Sequence, residues 1–186
     1  MSKELKYWDG VPKDEIADAA CAIDILDHCM WKIEPYLGGE MIFELGCGNG
    51  RLISALAKQY KGSFIGIDFS ENMLSIAPKV KNITYVLNDG KSMPCGPDLF
   101  DSGYSMLVFQ HVTEDVFSGY LKEVYRVLKP GGTFRFQFVH GTENVFLARN
   151  VNPQKVVDWV AYAGLQLIAM EQDEKFETWK WVTCQK

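Results

Sequence analysis

The chain has 186 residues, 47% of them hydrophobic and 23% charged, and a formal net charge of −5 at pH 7. That length and composition fit one globular domain with a sizeable core, and the acidic balance argues against a surface that tracks nucleic-acid phosphates, which needs clustered Lys and Arg. The five cysteines, at 21, 29, 47, 95 and 184, never fall in C-x-x-C spacing, so neither a disulfide framework nor a zinc site is indicated. With no run of ~18 apolar residues and no basic-then-apolar leader pattern, the sequence reads as a soluble, cytoplasmic protein.

In chain order, residues 13–37 read as a helical stretch. Pro12 stands near its start, Gly38-Gly39 lie just past its end, and Ile16, Ala20, Ile23, Met30, Ile33 and Leu37 form one apolar face. Trp8 and Trp31 stand as pocket-lining residues or as packing. Met41 to Leu45 reads as a buried strand. It runs into Gly46-Cys47-Gly48-Asn49-Gly50, after which Leu52, Ile53, Leu56 and Ala57 recur at helical spacing. Glycines suit such a corner because it needs positive φ and close approach of backbone to ligand. Loop amides and the helix's positive end then favour a negative ligand group.

Further strands are expected at 63–68, 83–87, 100–108 and 133–139, and helices at 71–79, 114–128 and 153–163. Alternation of this kind argues for a parallel sheet covered by helices on both faces. Leu165–Glu171 and Phe176–Cys184 are strand-like and separated by too few residues for a crossover, so they should form an antiparallel hairpin.

The glycine spacing is G-x-G-x-G, with Arg51 where a dinucleotide fingerprint G-x-G-x-x-G would carry its last glycine. With Glu44 two residues ahead of Gly46, the block E-L-G-C-G-N-G resembles motif I of the class I S-adenosylmethionine-dependent methyltransferases. Leu128-Lys129-Pro130-Gly131-Gly132 looks like the L-K-P-G-G block of the same family, where a helix turns into the fifth strand. The resemblance covers roughly residues 38–186 and implies a single-domain, Rossmann-like three-layer α/β sandwich. Its sheet would have seven strands, mostly parallel, with the last antiparallel. Residues 1–37 would be a helical segment packed on that core, the alternative for the helix being a lid over the ligand.

Residue by residue, the resemblance makes Glu44, Gly46, Cys47, Gly48, Gly50 and Arg51 the corner that holds the amino-acid end of S-adenosylmethionine. Arg51 either neutralises the cofactor carboxylate or is a surface residue. Asp68, at the end of its strand, is placed to accept both ribose hydroxyls, and Phe69 to pack beside the adenine. Asn88-Asp89-Gly90 resembles the adenine-recognition position, with Asp89 accepting from the exocyclic amine and the Gly90 amide donating to the ring. Gln110 would form the wall facing the methionine moiety.

Ligands of open parallel sheets sit beyond the strand carboxyl ends, and His111 and His140 follow strands four and five. Either is a candidate proton acceptor, the alternative being a structural or capping histidine. Arg135 and Gln137 interrupt an apolar strand and need partners, expected from acidic residues of a neighbouring helix, the alternative being that they reach toward substrate.

The expected reaction is direct in-line methyl transfer to a small-molecule acceptor, leaving S-adenosylhomocysteine. Residues 140–152, with Glu143, Asn144, Phe146 and Arg149, offer little material for recognising a macromolecule. Nucleic acid and membrane are not expected partners, and oligomeric state is not legible. Two alternatives stand beside this reading. One is a catalytically silent cofactor-binding module acting with a partner protein; the other is a nicotinamide oxidoreductase, against which the missing fingerprint weighs.

Overall fold

The computed structural model describes Gly10, residues 23–141 and residues 148–186. Seven strands form one sheet: β1 (Met41–Leu45), β2 (Ser63–Asp68), β3 (Ile83–Leu87), β4 (Phe100–Ser105), β5 (Leu128–Val139), β6 (Gln166–Gln172) and β7 (Trp179–Gln185). Their spatial order is β3-β2-β1-β4-β5-β7-β6. The first five are parallel, whereas β7 runs antiparallel to both β5 and β6. This is the mostly parallel α/β sheet that the alternating pattern implies, closed by the expected hairpin.

Five helices accompany the sheet among the described residues: α1 (Ile23–Ile33), α2 (Arg51–Gln59), α3 (Glu71–Ser75), α4 (Glu114–Val127) and α5 (Pro153–Tyr162). Side chains of a strand point alternately to the two faces, and the core divides accordingly. Phe43, Phe134 and Phe136 pack on one face with Phe117, Leu121 and Val156 from α4 and α5. Ile42, Phe64 and Trp181 pack on the other with Ile33, Ile53 and Leu56 from α1 and α2. Each fully buried Phe in these layers contributes about 1.5–3 kcal/mol of transfer free energy. None of the described helices is long and apolar enough to cross a membrane.

Several boundaries differ from the sequence reading, β7 among them, which begins at Trp179 and not Phe176. β4 ends at Ser105, not 108, because Leu107 takes up a left-handed backbone with φ +58°, which no strand accommodates. β5 begins at Leu128, and Pro130-Gly131-Gly132 fall inside it rather than stopping the chain; the pairing with β4 slips between Phe100 and Ser102 to accept them. α3 stops at Ser75, three residues ahead of Pro78, which disfavours helix at the residue before it. α1 is described from Ile23 and gives way at Ile33 to a 3-10 turn, Glu34–Tyr36, that carries Pro35. Residues 13–22, Ile16 and Ala20 included, lie outside the described residues.

β2 and β3 build outward from one side of β1, and β4 and β5 from the other. The chain thus reverses its direction of growth between β1 and β4. At such a point the loops leaving the strand carboxyl ends part and open a crevice.

Candidate functional site

That crevice is a cavity of about 340 Å³. Its floor is the corner after β1, including Gly46, Cys47 and Gly48, with Asp68 and Phe69 at the end of β2. Gly46 has φ +74°, and a Cβ there would meet Val108 Cγ2 at 2.1 Å. Gly48 has φ +52°, yet a Cβ on it would meet nothing within 4 Å. Gly46 is therefore glycine because protein lies behind it, and Gly48 presents bare backbone to open space. Gly50 caps α2 and backs on Tyr85.

The corner's amides are largely spent inside the protein. Gly46 N–H and Cys47 N–H both donate to the Ile67 carbonyl, at 2.7 and 3.1 Å, and Gly50 N–H donates to the Cys47 carbonyl at 2.9 Å. Gly48 N–H donates to Asp68 Oδ2 at 2.7 Å. The expected cradle of open loop amides is thus not what this corner offers. Positive charge at the floor comes instead from Arg51, the first residue of α2, which lines the cavity.

Two carboxyl groups share the floor. Asp68 is 7% exposed and accepts from Ser70 N–H through Oδ1 at 2.9 Å, as well as from Gly48. Burial pushes its pKa up, against the pull of the Ser70, Gly48 and Phe69 amides. Glu44 is 3% exposed and accepts from the Tyr104 hydroxyl at 3.2 Å. Burial raises its pKa to about 8; the Tyr104 bond opposes this, the Asp68 charge adds to it, and the Ile53 amide in the first turn of α2 opposes it. Around neutral pH Glu44 is therefore mostly protonated, and the site keeps a carboxyl that a cationic ligand can ionise.

The walls are apolar. Ile25 and Leu26 come from α1, Met106, Leu107 and Val108 from the segment after β4, and Trp179 from the start of β7. A 3-10 turn, Phe109–His111, follows and is pinned by Phe109, whose ring centroid lies 4.2 Å from that of Phe117 and 4.9 Å from that of Phe136. The pinned turn presents His111 to the cavity.

The other candidates fall differently. Gln110 is buried behind His111 and does not line the cavity. Asp89 is exposed, with Oδ1 accepting from the amides of Lys91 and Ser92 at 2.9 and 2.7 Å, which shapes the loop after β3. Gly90 is buried, and its N–H donates to Asn88 Oδ1 at 3.2 Å. It is Asn88 that reaches the cavity from this loop. His140 lies away from the cavity, its Nε2 at 2.9 Å from Gln172 Oε1. Trp31 is 62% exposed. Trp8, Glu143, Asn144 and Phe146 lie outside the described residues. Arg135 finds its carboxylate on a strand, not a helix: Nη2 donates to Glu171 Oε2 at 2.7 Å and Nη1 to Thr183 at 2.6 Å.

Sequence reasoning missed Tyr120, Trp179 and the α1 pair Ile25 and Leu26. Tyr120 falls on the buried stripe of α4, and its hydroxyl meets Asn88 Nδ2 at 3.1 Å. That stripe carried no sign of which member faces the cavity. Trp179 reaches the site only because β7 inserts between β5 and β6, a long-range event without a local signal.

Residues 42–132 match a family described as a methyltransferase domain. Over 126 residues the chain is 34% identical to a demethylmenaquinone methyltransferase of Lactococcus lactis, covering 59% of this chain and 48% of that protein. Over 158 residues it is 27% identical to a ubiquinone biosynthesis O-methyltransferase of Coxiella burnetii, covering 71% of this chain and 66% of that protein. The chain therefore spans about half to two-thirds of the length of these curated relatives. In three dimensions it superposes on the [4+2]-cyclase SpnF with a TM-score of 0.82 at 16% identity, covering 100% of this chain and 97% of that one. The motif matched in sequence, the strand order and the glycine corner at the switch point agree with one another: the chain carries a class I S-adenosylmethionine-dependent methyltransferase domain.

Proposed function

We propose that this chain transfers the methyl group of S-adenosylmethionine to a small, largely apolar acceptor by direct in-line displacement. The observation that carries the proposal is the floor of the cavity. Bare backbone at Gly48, two buried carboxyls and the Arg51 guanidinium lie together there beneath apolar walls. That donor set fits the cofactor's own chemistry, which joins a carboxylate, an ammonium, a sulfonium and a ribose diol. The bound cofactor supplies an already activated methyl group, so the protein's task is to hold the acceptor in line and exclude water.

Arg51 faces the cofactor carboxylate, and Glu44 and Asp68 face its cationic and hydroxyl groups. Phe69 and Met73 flank the adenine, whose edge is read by Asn88 in place of Asp89 and Gly90. Ile25, Leu26, Met106 and Trp179 shape the acceptor end, where a charged acceptor would lose hydration without gaining a partner. The names of the two curated relatives, both tied to quinone biosynthesis, support an apolar acceptor. The reaction runs in solution on a small molecule, with neither nucleic acid nor membrane as partner.

Calorimetry with S-adenosylhomocysteine tests the floor. Asp68→Ala should weaken binding on the order of 10- to 100-fold, the loss of one or two charge-assisted hydrogen bonds; unchanged affinity rules the ribose assignment out. Because the [4+2]-cyclase SpnF shares this fold, methyl transfer is read from the chemistry of the site and not from the architecture. A metabolite screen scored by release of S-adenosylhomocysteine decides it. Tight binding with no turnover on any pool would replace the proposal with the silent-module reading.

A further inference from the structure

Below the cavity, three hydrogen bonds run from a strained backbone position to an imidazole ring, and the direction of each is fixed by the one before it. Leu107 holds φ +58°, and its main-chain N–H points at the Gln137 carboxamide, 3.2 Å from Oε1. A peptide N–H can only donate, so the atom it meets is the carbonyl oxygen. The Gln137 amide nitrogen is thereby turned the other way and donates to Gln110 Oε1 at 3.1 Å. Gln110 is then oriented in its turn, with Nε2 at 3.2 Å from His111 Nε2. A carboxamide nitrogen has no lone pair to offer, so the imidazole Nε2 accepts. A neutral ring that accepts at Nε2 carries its proton on Nδ1.

Both amides sit where water cannot replace a lost partner: Gln137 is 0% and Gln110 6% exposed. Gln137 occupies a position in β5 between Phe136 and Phe138, and a buried amide is tolerated there only with both its polar atoms satisfied. Swapping the oxygen and nitrogen of Gln137 would set donor against donor at Leu107 and acceptor against acceptor toward Gln110, and swapping those of Gln110 would set donor against donor between the two amides, so the relay has one sense.

We infer that Gln137 is a positioning residue that, through Gln110, holds His111 as the neutral Nδ1–H tautomer, so that His111 meets the acceptor as a neutral hydrogen-bonding wall and not as a proton acceptor. With Nδ1 protonated and the Nε2 lone pair engaged by Gln110, taking up a proton would require breaking the relay. The expectation of His111 as general base is replaced by this role. The functional half of the inference rests on the proposed methyl-transfer reading, which puts the acceptor beside His111; the tautomer itself does not.

The test is long-range proton–nitrogen NMR on the full chain labelled with nitrogen-15 in its three histidines, 28, 111 and 140, with His111→Gln identifying the signal. The wild type should show a single neutral Nδ1–H form for His111 above pH 7. Gln137→Met, close in volume, releases Gln110 to flip and should yield both tautomers. Gln110→Glu puts an acceptor opposite Nε2 and should move the proton there, leaving the His28 and His140 patterns unchanged. An Nε2–H form in the wild type, or an unaltered His111 signal in both folded variants, overturns the relay. Addition of S-adenosylhomocysteine to the wild-type sample reads the site assignment separately. Displaced His111 ring signals support the placement beside the ligand, whereas an unmoved ring with a saturated cavity removes the functional half and leaves the tautomer intact.

Discussion

Gly46 and Gly48 look interchangeable in the motif and are not. An alanine at 46 would drive its Cβ to 2.1 Å from Val108 Cγ2 as well as straining a φ of +74°, so Gly46→Ala should cost several kcal/mol of stability, in the manner of an overpacked core. At Gly48 there is nothing to strike, and the alanine costs only the roughly 1–2 kcal/mol of a left-handed non-glycine residue. Gly48→Ala should fold, melt a few degrees lower, and bind S-adenosylhomocysteine at least 10-fold more weakly, because the methyl group occupies space meant for ligand. Thermal denaturation and calorimetry on the pair separate the two roles. Glu44 gives a pH signature of definite sign. Its carboxyl is ionised in the unfolded chain above its usual 4.5 but stays protonated in the native state up to about 8. The native state therefore binds more protons across that window, and stability falls as pH rises through it. Glu44→Gln should flatten the fall by roughly 2–5 kcal/mol between pH 5 and 8 in urea unfolding. Asp68, whose pKa is also raised by burial, adds a slope of the same sign that begins just above its ordinary carboxylate range.

At the scale of elements, α1 matters because it both walls the cavity and is held from a distance. Asp173, 2% exposed at the end of β6, accepts from His28 Nε2 and Trp181 Nε1, each at 2.7 Å, and from the amides of Lys175 and Phe176 at 2.8 and 2.9 Å. Burial pushes its pKa up, but the His28 and Trp181 bonds with those two amides outweigh it and leave the carboxylate below its ordinary range. A second tie joins Lys32 to Glu174. Removing Asp173 orphans His28 and the Trp181 indole together, so Asp173→Ala should destabilise by about 2–4 kcal/mol. It should also speed amide hydrogen exchange in α1 well beyond that in α4. Equal protection of α1 in the variant would show that apolar packing alone seats the helix. None of this tie was legible in sequence: His28 and Asp173 are 145 residues apart, and nothing local marks either as the other's partner. The strand and helix alternation and the closing hairpin were legible, because they follow from periodicity and link length. Where boundaries slipped, a left-handed backbone at Leu107 ended β4 early, and pairing with β4 drew Pro130 to Gly132 into β5.

For the whole molecule, the sequence revealed the corner of the site better than its walls. Glu44, Gly46, Gly48 and Asp68 are contiguous with two strand ends and carry a spacing that can be read. The walls assemble from α1, the segment after β4, α4 and β7, whose convergence depends on the sheet order β3-β2-β1-β4-β5-β7-β6. The same distinction explains the odd case of Gln137. Its polarity within β5 signalled a partner, but only the fold shows that the partner lies toward the cavity and that Arg135, two residues away, is served by β6 and β7.

That order also dictates a sequence of events during synthesis. β6 has no neighbour in the sheet except β7, yet it leaves the ribosome first. Until residues 179–185 have cleared the exit tunnel, β6 carries two open edges and exposes Ile168, which remains 52% exposed even in the finished fold. Trp179 is missing from the cavity wall over the same interval. Closure of the sheet and readiness to bind therefore arrive together, once β7 has emerged to pair with β6, and the nascent chain is open to mispairing along β6 until then.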